Sequence, residues 1–172
     1  MKKSLAPYSS LALAAALLFA AAGAAFSLDV YPSVAGDYSV DFPSTPKEEV
    51  QTTPAYRIVS HAINVDNVIY IVAHGDFQVP PPPEIELDAN IDNYVKELHA
   101  NVLSRGTLAF ARGDQPLLAK QFTYEGDRLS GKGIVVVDGK SSYRAAATAL
   151  KPYSREAAVN TFLGSFALVP PK

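Results

Sequence analysis

The 172-residue chain contains no cysteine. Disulfides, thiolate metal sites and thiol nucleophiles are therefore excluded, as is lipid attachment at a cleavage-site cysteine. The fold must rest on an ordinary packed core. Histidine is scarce, with three in all. No internal repeat is visible. No G-x-S-x-G elbow is present, and no serine has the local setting of an activated nucleophile. Gly131-Lys132-Gly133 lacks the frame of a phosphate loop and precedes a predicted strand. Glu84 and Glu86 stand beside a proline run, where solvent is expected to keep both ionised. These absences point to a non-enzyme, and they imply no cofactor.

What is present begins with a leader. Lys2 and Lys3 precede the apolar run Leu11 to Ala22, and small residues follow. This is the three-part pattern of a secretory signal peptide. The run falls short of the roughly 20 apolar residues a membrane span needs. Cleavage is expected between Ala24 and Leu28, giving a signal peptide over 1–27 and a single domain over 28–172, with no membrane span left after processing. The expected address is the periplasm or the cell exterior. A mature chain of roughly 145 residues suits one domain. With the two leader lysines removed, it carries 13 basic against 17 acidic residues. That balance argues against nucleic acid or an anionic membrane surface as partner.

Along the mature chain, Tyr38 to Phe42 alternates large apolar and polar residues, as a half-buried strand does. Tyr56 to Asn64 and Val68 to Asp76 are rich in β-formers, and Val65-Asp66-Asn67 between them is turn chemistry. The run Pro80-Pro81-Pro82-Pro83 predicts a stiff extended connection. Asp88 to Ser104 carries Ile91, Val95, Leu98 and Val102 at helical spacing. Asp88 or Asn90 is the expected cap, and Gly106 the expected stop. Strands follow at Leu117 to Glu125, Gly133 to Val137 and Ser142 to Leu150, the last two joined by a primed turn at Asp138-Gly139. Ser154 would cap a short helix from Arg155 to Gly164, with Ala158, Phe162 and Leu163 inward. Phe166 to Leu168 would add a last short strand. The expected class is α+β, a largely antiparallel sheet of about six strands flanked by helices.

Three local patterns invite a chemical reading. A turn at Asp66-Asn67 would set His61 opposite Val72 and His74 opposite Val59. The two imidazoles would then share a face as diagonal neighbours, with Asp76 on the same face. His61, His74 and Asp76 are thus the candidate metal ligands, and His99 on the helix is a further imidazole. Asp88-Ala89-Asn90-Ile91-Asp92 imitates the first half of a calcium loop. It lacks the required glycine and the closing bidentate carboxylate, so a helix start is the better reading. Arg112-Gly113-Asp114 is an adhesion-type tripeptide on an expected turn.

Two phrases resemble a known family. The first is Ala35-Gly36-Asp37-Tyr38-Ser39-Val40-Asp41-Phe42-Pro43-Ser44-Thr45-Pro46. The second is the hairpin Val135 to Arg144 followed by Ala158-Val159-Asn160-Thr161-Phe162-Leu163-Gly164-Ser165-Phe166. Together they resemble the opening and close of PsbP-like domains, over Gly36 to Leu168. The resemblance implies a sheet with helices on both faces, an α/β/α sandwich. Photosynthetic members of that family are accessory proteins on a membrane complex, and many bacterial members have no assigned activity. No catalytic motif is carried over. The resemblance implies a binding or accessory module acting on another envelope protein or complex. Pro80, Pro81, Pro82 and Pro83, with tyrosines Tyr56 and Tyr70 taken as exposed, are the candidate contact residues. The alternative is a small-ligand or metal-binding protein using the histidine face.

Overall fold

The structure, a computed structural model, describes residues 29–32 as backbone and residues 37–152 and 155–170 in full. The expected leader and the expected cap Ser154 lie outside the described residues. The leading strands are β1 (Asp29–Pro32), β2 (Tyr38–Phe42), β3 (Lys47–Thr52), β4 (Tyr56–Val65) and β5 (Val68–Phe77). Helix α1 (Pro83–Glu97) comes next. Strands β6 (Asn101–Thr107), β7 (Phe110–Arg112), β8 (Gln115–Glu125), β9 (Leu129–Asp138) and β10 (Ser141–Leu150) follow. Helix α2 (Glu156–Ser165) and strand β11 (Ala167–Leu168) close the chain.

The class is α+β. The main sheet has eight strands rather than six, ordered β3-β4-β5-β10-β9-β8-β6 with β7 also paired to β8. Every pairing is antiparallel. A second sheet has three strands, β1-β2-β11. The extra strands carry no internal signal. All six residues of β3 are exposed, so its sequence needs no apolar alternation. Lys47, Glu48 and Glu49 suit a sheet edge, where charge discourages further pairing.

The central strands are buried on both sides. Val68, Tyr70 and Val72 of β5, Val136 of β9, and Tyr143, Ala145, Ala147 and Ala149 of β10 form one core. That core is closed by Val159 and Phe162 of α2 and by Tyr38, Val40 and Phe42 of the small sheet. Ile71, Ala73, Val135, Val137 and Ala146 point the other way. They meet Leu87, Ile91, Tyr94 and Val95 of α1. The two helices thus cover opposite faces, and one outer layer also contains a sheet. On α2 the buried pair is Val159 and Phe162, with Ala158 and Leu163 only half-buried.

The helix α1 is displaced from its expected span. It starts at Pro83, not Asp88, with Pro82 extended at the cap. A proline is favoured at the first helical position because its missing N–H is one the helix leaves unbonded anyway. The helix ends before Val102. His99 takes a left-handed conformation (φ 51°). Its N–H bonds Lys96 O, and the Ala100 N–H bonds Val95 O. This pair closes the helix end in the manner usually reserved for glycine. Val102 then joins strand β6, and Gly106 lies within that strand instead of ending a helix.

Both expected hairpin turns form. Asp66 and Asn67 both have positive φ, which matches the right-handed twist of the strands they join. Gly139 supplies the positive φ between β9 and β10. Gly131 and Gly133 have a packing role. They face Tyr124 and Phe122 of the neighbouring strand, and a Cβ on either would collide with the ring laid across it. Gly133→Ala should therefore destabilise the fold by about 1–3 kcal/mol, as overpacking does. Urea denaturation would check this, and an unchanged midpoint would show that the ring moves aside without cost.

Candidate functional site

The β4–β5 register places His61 opposite Val72 and His74 opposite Val59. The two histidines therefore share the face that looks toward the small sheet. They do not converge on a common point, because each is held by its own partners. The His61 Nε2 lies 3.0 Å from Glu48. A carboxylate only accepts, so Nε2–H donates and Nδ1 is left to accept from the Tyr38 hydroxyl at 2.6 Å. His61 is 1% exposed.

His74 lies between two carboxylates. Asp37 is 2.7 Å from Nδ1 and Asp76 is 3.0 Å from Nε2. Both ring nitrogens thus lie within hydrogen-bond distance of a carboxylate oxygen. The ring stacks on Tyr143 at 4.4 Å between centroids. The Tyr143 hydroxyl donates to Asp37 and accepts from Arg112. Arg112 also pairs with Asp138, and Ser141 donates to Asp76. Burial, then the negative charge of Asp37, push the Tyr143 phenol upward. This network ties the start of β2 to β5, β7, β9 and β10. It also takes up the arginine of Arg112-Gly113-Asp114, whose side chain turns inward rather than being displayed at the turn. Among the described residues, no group of three or more histidines and carboxylates is arranged to hold a metal. His99 sits at the end of α1, across the sheet from the other two.

A second polar cluster lies under α1. Ser142, Arg144 and Thr148 of β10 project toward the helix. They meet Glu86, Asn90 and Tyr94, spaced one turn apart on α1. Asn90 donates to Glu86 and Ser142. Arg144 Nη1 donates to Asn90, and Thr148 bonds the hydroxyls of Tyr94 and Tyr124. Glu86 is 4% exposed, contrary to the expectation that solvent keeps it ionised. Burial is the main cause that raises its carboxyl above the ordinary value. The one available signal was the i, i+4, i+8 spacing of Glu86, Asn90 and Tyr94, which coincides with the apolar face.

The residues of the calcium-like stretch are also engaged. Asp88 and Asp92 both pair with Arg105, and Asp88 with Lys120. The Lys120 hydrogen bond is the largest cause that lowers the Asp88 carboxyl.

The candidate contact residues divide. Pro80, Pro82 and Pro83 are exposed, and Pro81 is buried. Val79 and Ile85 flank them at 74% and 57% exposure, and neither was among the expected contact residues. Tyr56 is half-buried beside Phe77. Tyr70 is not a surface residue. It is 3% exposed and packs edge-on against Phe162, because the strand alternation turns it into the core with Val68 and Val72. The outcome is a short ridge, Val79 to Ile85, apolar except for the exposed Glu84 that pairs with Lys120, stiffened by proline and anchored by Pro81.

Two measurements check these clusters. Asp37→Ala and His74→Ala should each cost about 1.5–3 kcal/mol, the range for hydrogen bonds to charged groups. The double variant should cost clearly less than the sum, since the two share one interaction. Additive losses in chemical denaturation would remove the bridge. For Glu86, a raised folded-state pKa means that the folded chain keeps a proton that the unfolded chain has lost. The stability so contributed is present at low pH and lost as pH rises through the folded value. Glu86→Gln should therefore gain stability relative to the natural chain as pH rises above the ordinary glutamate range. A constant difference across that rise would contradict the burial effect.

No family model matches the chain, and no curated protein matches it. Among solved structures it is similar to the crystal structure of a protein from Bacteroides thetaiotaomicron VPI-5482, with 9% identity and a TM-score of 0.40. The match covers 81% of this chain and 47% of that one, so the chain spans about half the length of that structure.

Proposed function

We propose that this chain is an exported PsbP-like domain that works without catalysis. It binds another envelope protein or complex as an accessory module, in the periplasm or outside the cell. The observation that carries the reading is the Val79–Ile85 ridge. Val79 and Ile85 are separated in the chain by three exposed prolines, and apolar exposure gathered in one patch marks an interaction site where single scattered residues do not. The prolines hold the stretch up to Pro82 extended, and Pro83 starts the helix that carries Ile85, so the ridge has its shape before any partner arrives. Little conformational entropy is then lost on binding, which favours affinity. The α1 helix beneath is fastened to the sheet, so the ridge is presented on a rigid support. The inward pairing of His61, His74, Asp37 and Arg112 supports a structural use of the polar groups on the opposite face.

The test uses the protein in its own host's envelope fraction, with a photo-crosslinking residue at Val79. A discrete heteromeric adduct is expected. Val79→Asp combined with Ile85→Asp should weaken capture by tenfold or more, as loss of a buried apolar anchor does. Both positions are exposed, so the fold should survive. Equal capture by the double variant and the natural chain would remove the ridge from the binding surface.

A further inference from the structure

The loop between β5 and α1 is set by its prolines. Pro80, Pro81 and Pro82 follow one another, so this stretch offers no backbone N–H. Val79, Pro80, Pro81 and Pro82 each precede a proline, which disfavours the helical conformation and leaves the extended one. Pro82 is extended, with φ −61° and ψ 118°. An extended proline run turns once in about three residues, as a polyproline II helix does. Residues three apart then share an edge. Pro81 lies on one edge and is buried. Val79 and Pro82 lie on the second edge, Pro80 and Pro83 on the third, and all four are exposed.

Both ends of the run are tied down. The Phe77 N–H donates to the Lys140 carbonyl, and the Gln78 N–H to the Ala55 carbonyl. The Pro82 carbonyl accepts the Glu86 N–H at 3.0 Å, at the start of α1. Between these ties, the carbonyls of Val79, Pro80 and Pro81 accept from no backbone N–H among the described residues. The strip therefore presents two apolar edges and a row of hydrogen-bond acceptors, with no backbone donor over its three consecutive prolines.

That combination specifies the chemistry of a partner. Flat aromatic rings match pyrrolidine rings, and the carbonyls require N–H or O–H donors. Tyrosine and tryptophan each supply a broad ring and a polar donor. A groove lined by them takes both exposed edges at once. A flat aliphatic patch would cover carbonyls without bonding them, which is costly.

We propose that the Val79–Pro83 strip docks as a preformed polyproline II segment into a groove lined by tyrosine and tryptophan on the partner protein. This assignment rests on the ridge being a contact surface, and it names the partner's side of that contact. Pro81 holds the strip to the domain while the other two edges enter the groove.

The experiment measures capture of the full chain by the partner that the Val79 adduct identifies, with hexaproline as competitor. Hexaproline offers the same extended rings and carbonyls without the domain. In excess it should abolish capture, and a glycine-serine hexapeptide should not. Pro80→Ala combined with Pro82→Ala should weaken capture by about tenfold or more. Both positions are exposed and Pro81 is kept, so the fold should survive. The competition is read on the natural chain and decides the matter even if the variant does not fold. Capture that persists in hexaproline, or equal capture by a folded double alanine variant, would overturn the groove. If Val79→Asp combined with Ile85→Asp still abolished capture in that case, the ridge would stand and this inference alone would fall. Absence of any adduct at Val79 would remove both.

Discussion

Strand β10 must be covered on both faces at once, and the rest of the molecule is arranged around that demand. It lies between β5 and β9, and eight of its ten residues are buried. Tyr143, Ala145, Ala147 and Ala149 look toward the small sheet and α2, while Ser142, Arg144, Ala146 and Thr148 look toward α1. Alanine is a poor strand former in isolation. Here its small volume lets two outer layers approach the same strand. The bulk that fills each layer comes from elsewhere: Phe42, Tyr70 and Phe162 on one side, Phe122, Tyr124 and Tyr94 on the other. Gly131 and Gly133 extend the same logic to β9, where the absence of a Cβ makes room for the rings.

The two faces of this strand are not equivalent. On the α2 side the interior is apolar apart from the buried Tyr38–His61 pair, and the polar network of Asp37, His74, Tyr143 and Arg112 sits at its margin. On the α1 side a polar seam runs through the interior itself. Buried polar groups bring little net stability but penalise every arrangement that leaves them unpaired. The seam therefore sets the position of α1 on the sheet more sharply than Leu87, Ile91 and Val95 could by apolar contact alone. That precision matters for the loop before the helix, since Val79, Pro80 and Pro82 inherit their orientation from where Pro83 begins.

The ridge offers apolar area in a preset shape and so suits a macromolecular surface. It does not involve the histidines that stand out in a reading of the chain. Those histidines act instead as links between β2, β3, β5 and β10.

Local chemistry was enough to read much of this in the amino-acid sequence. The paired turns at Asp66-Asn67 and Gly139, the strands they join, and the shared face of His61 and His74 follow from hydrogen-bond geometry and a period of two. The α+β class follows from that pattern together with one strongly periodic helix. Other features depended on contacts distant in sequence. Strand β3 exists because β4 pairs with it, and none of its side chains is buried. Val102 keeps helical spacing but belongs to a strand, because His99 ends the helix and β8 offers a partner. Tyr70, Glu86 and Arg144 are polar in composition and buried in fact, because burial is decided by which layer covers a strand face and not by the residue that occupies it. The sequence by itself thus determined the turns, the alternation of faces and the absence of thiol chemistry. Only the tertiary structure decided which polar groups were sealed inside and which apolar ones were left in water, since both depend on where α1 and the small sheet come to rest.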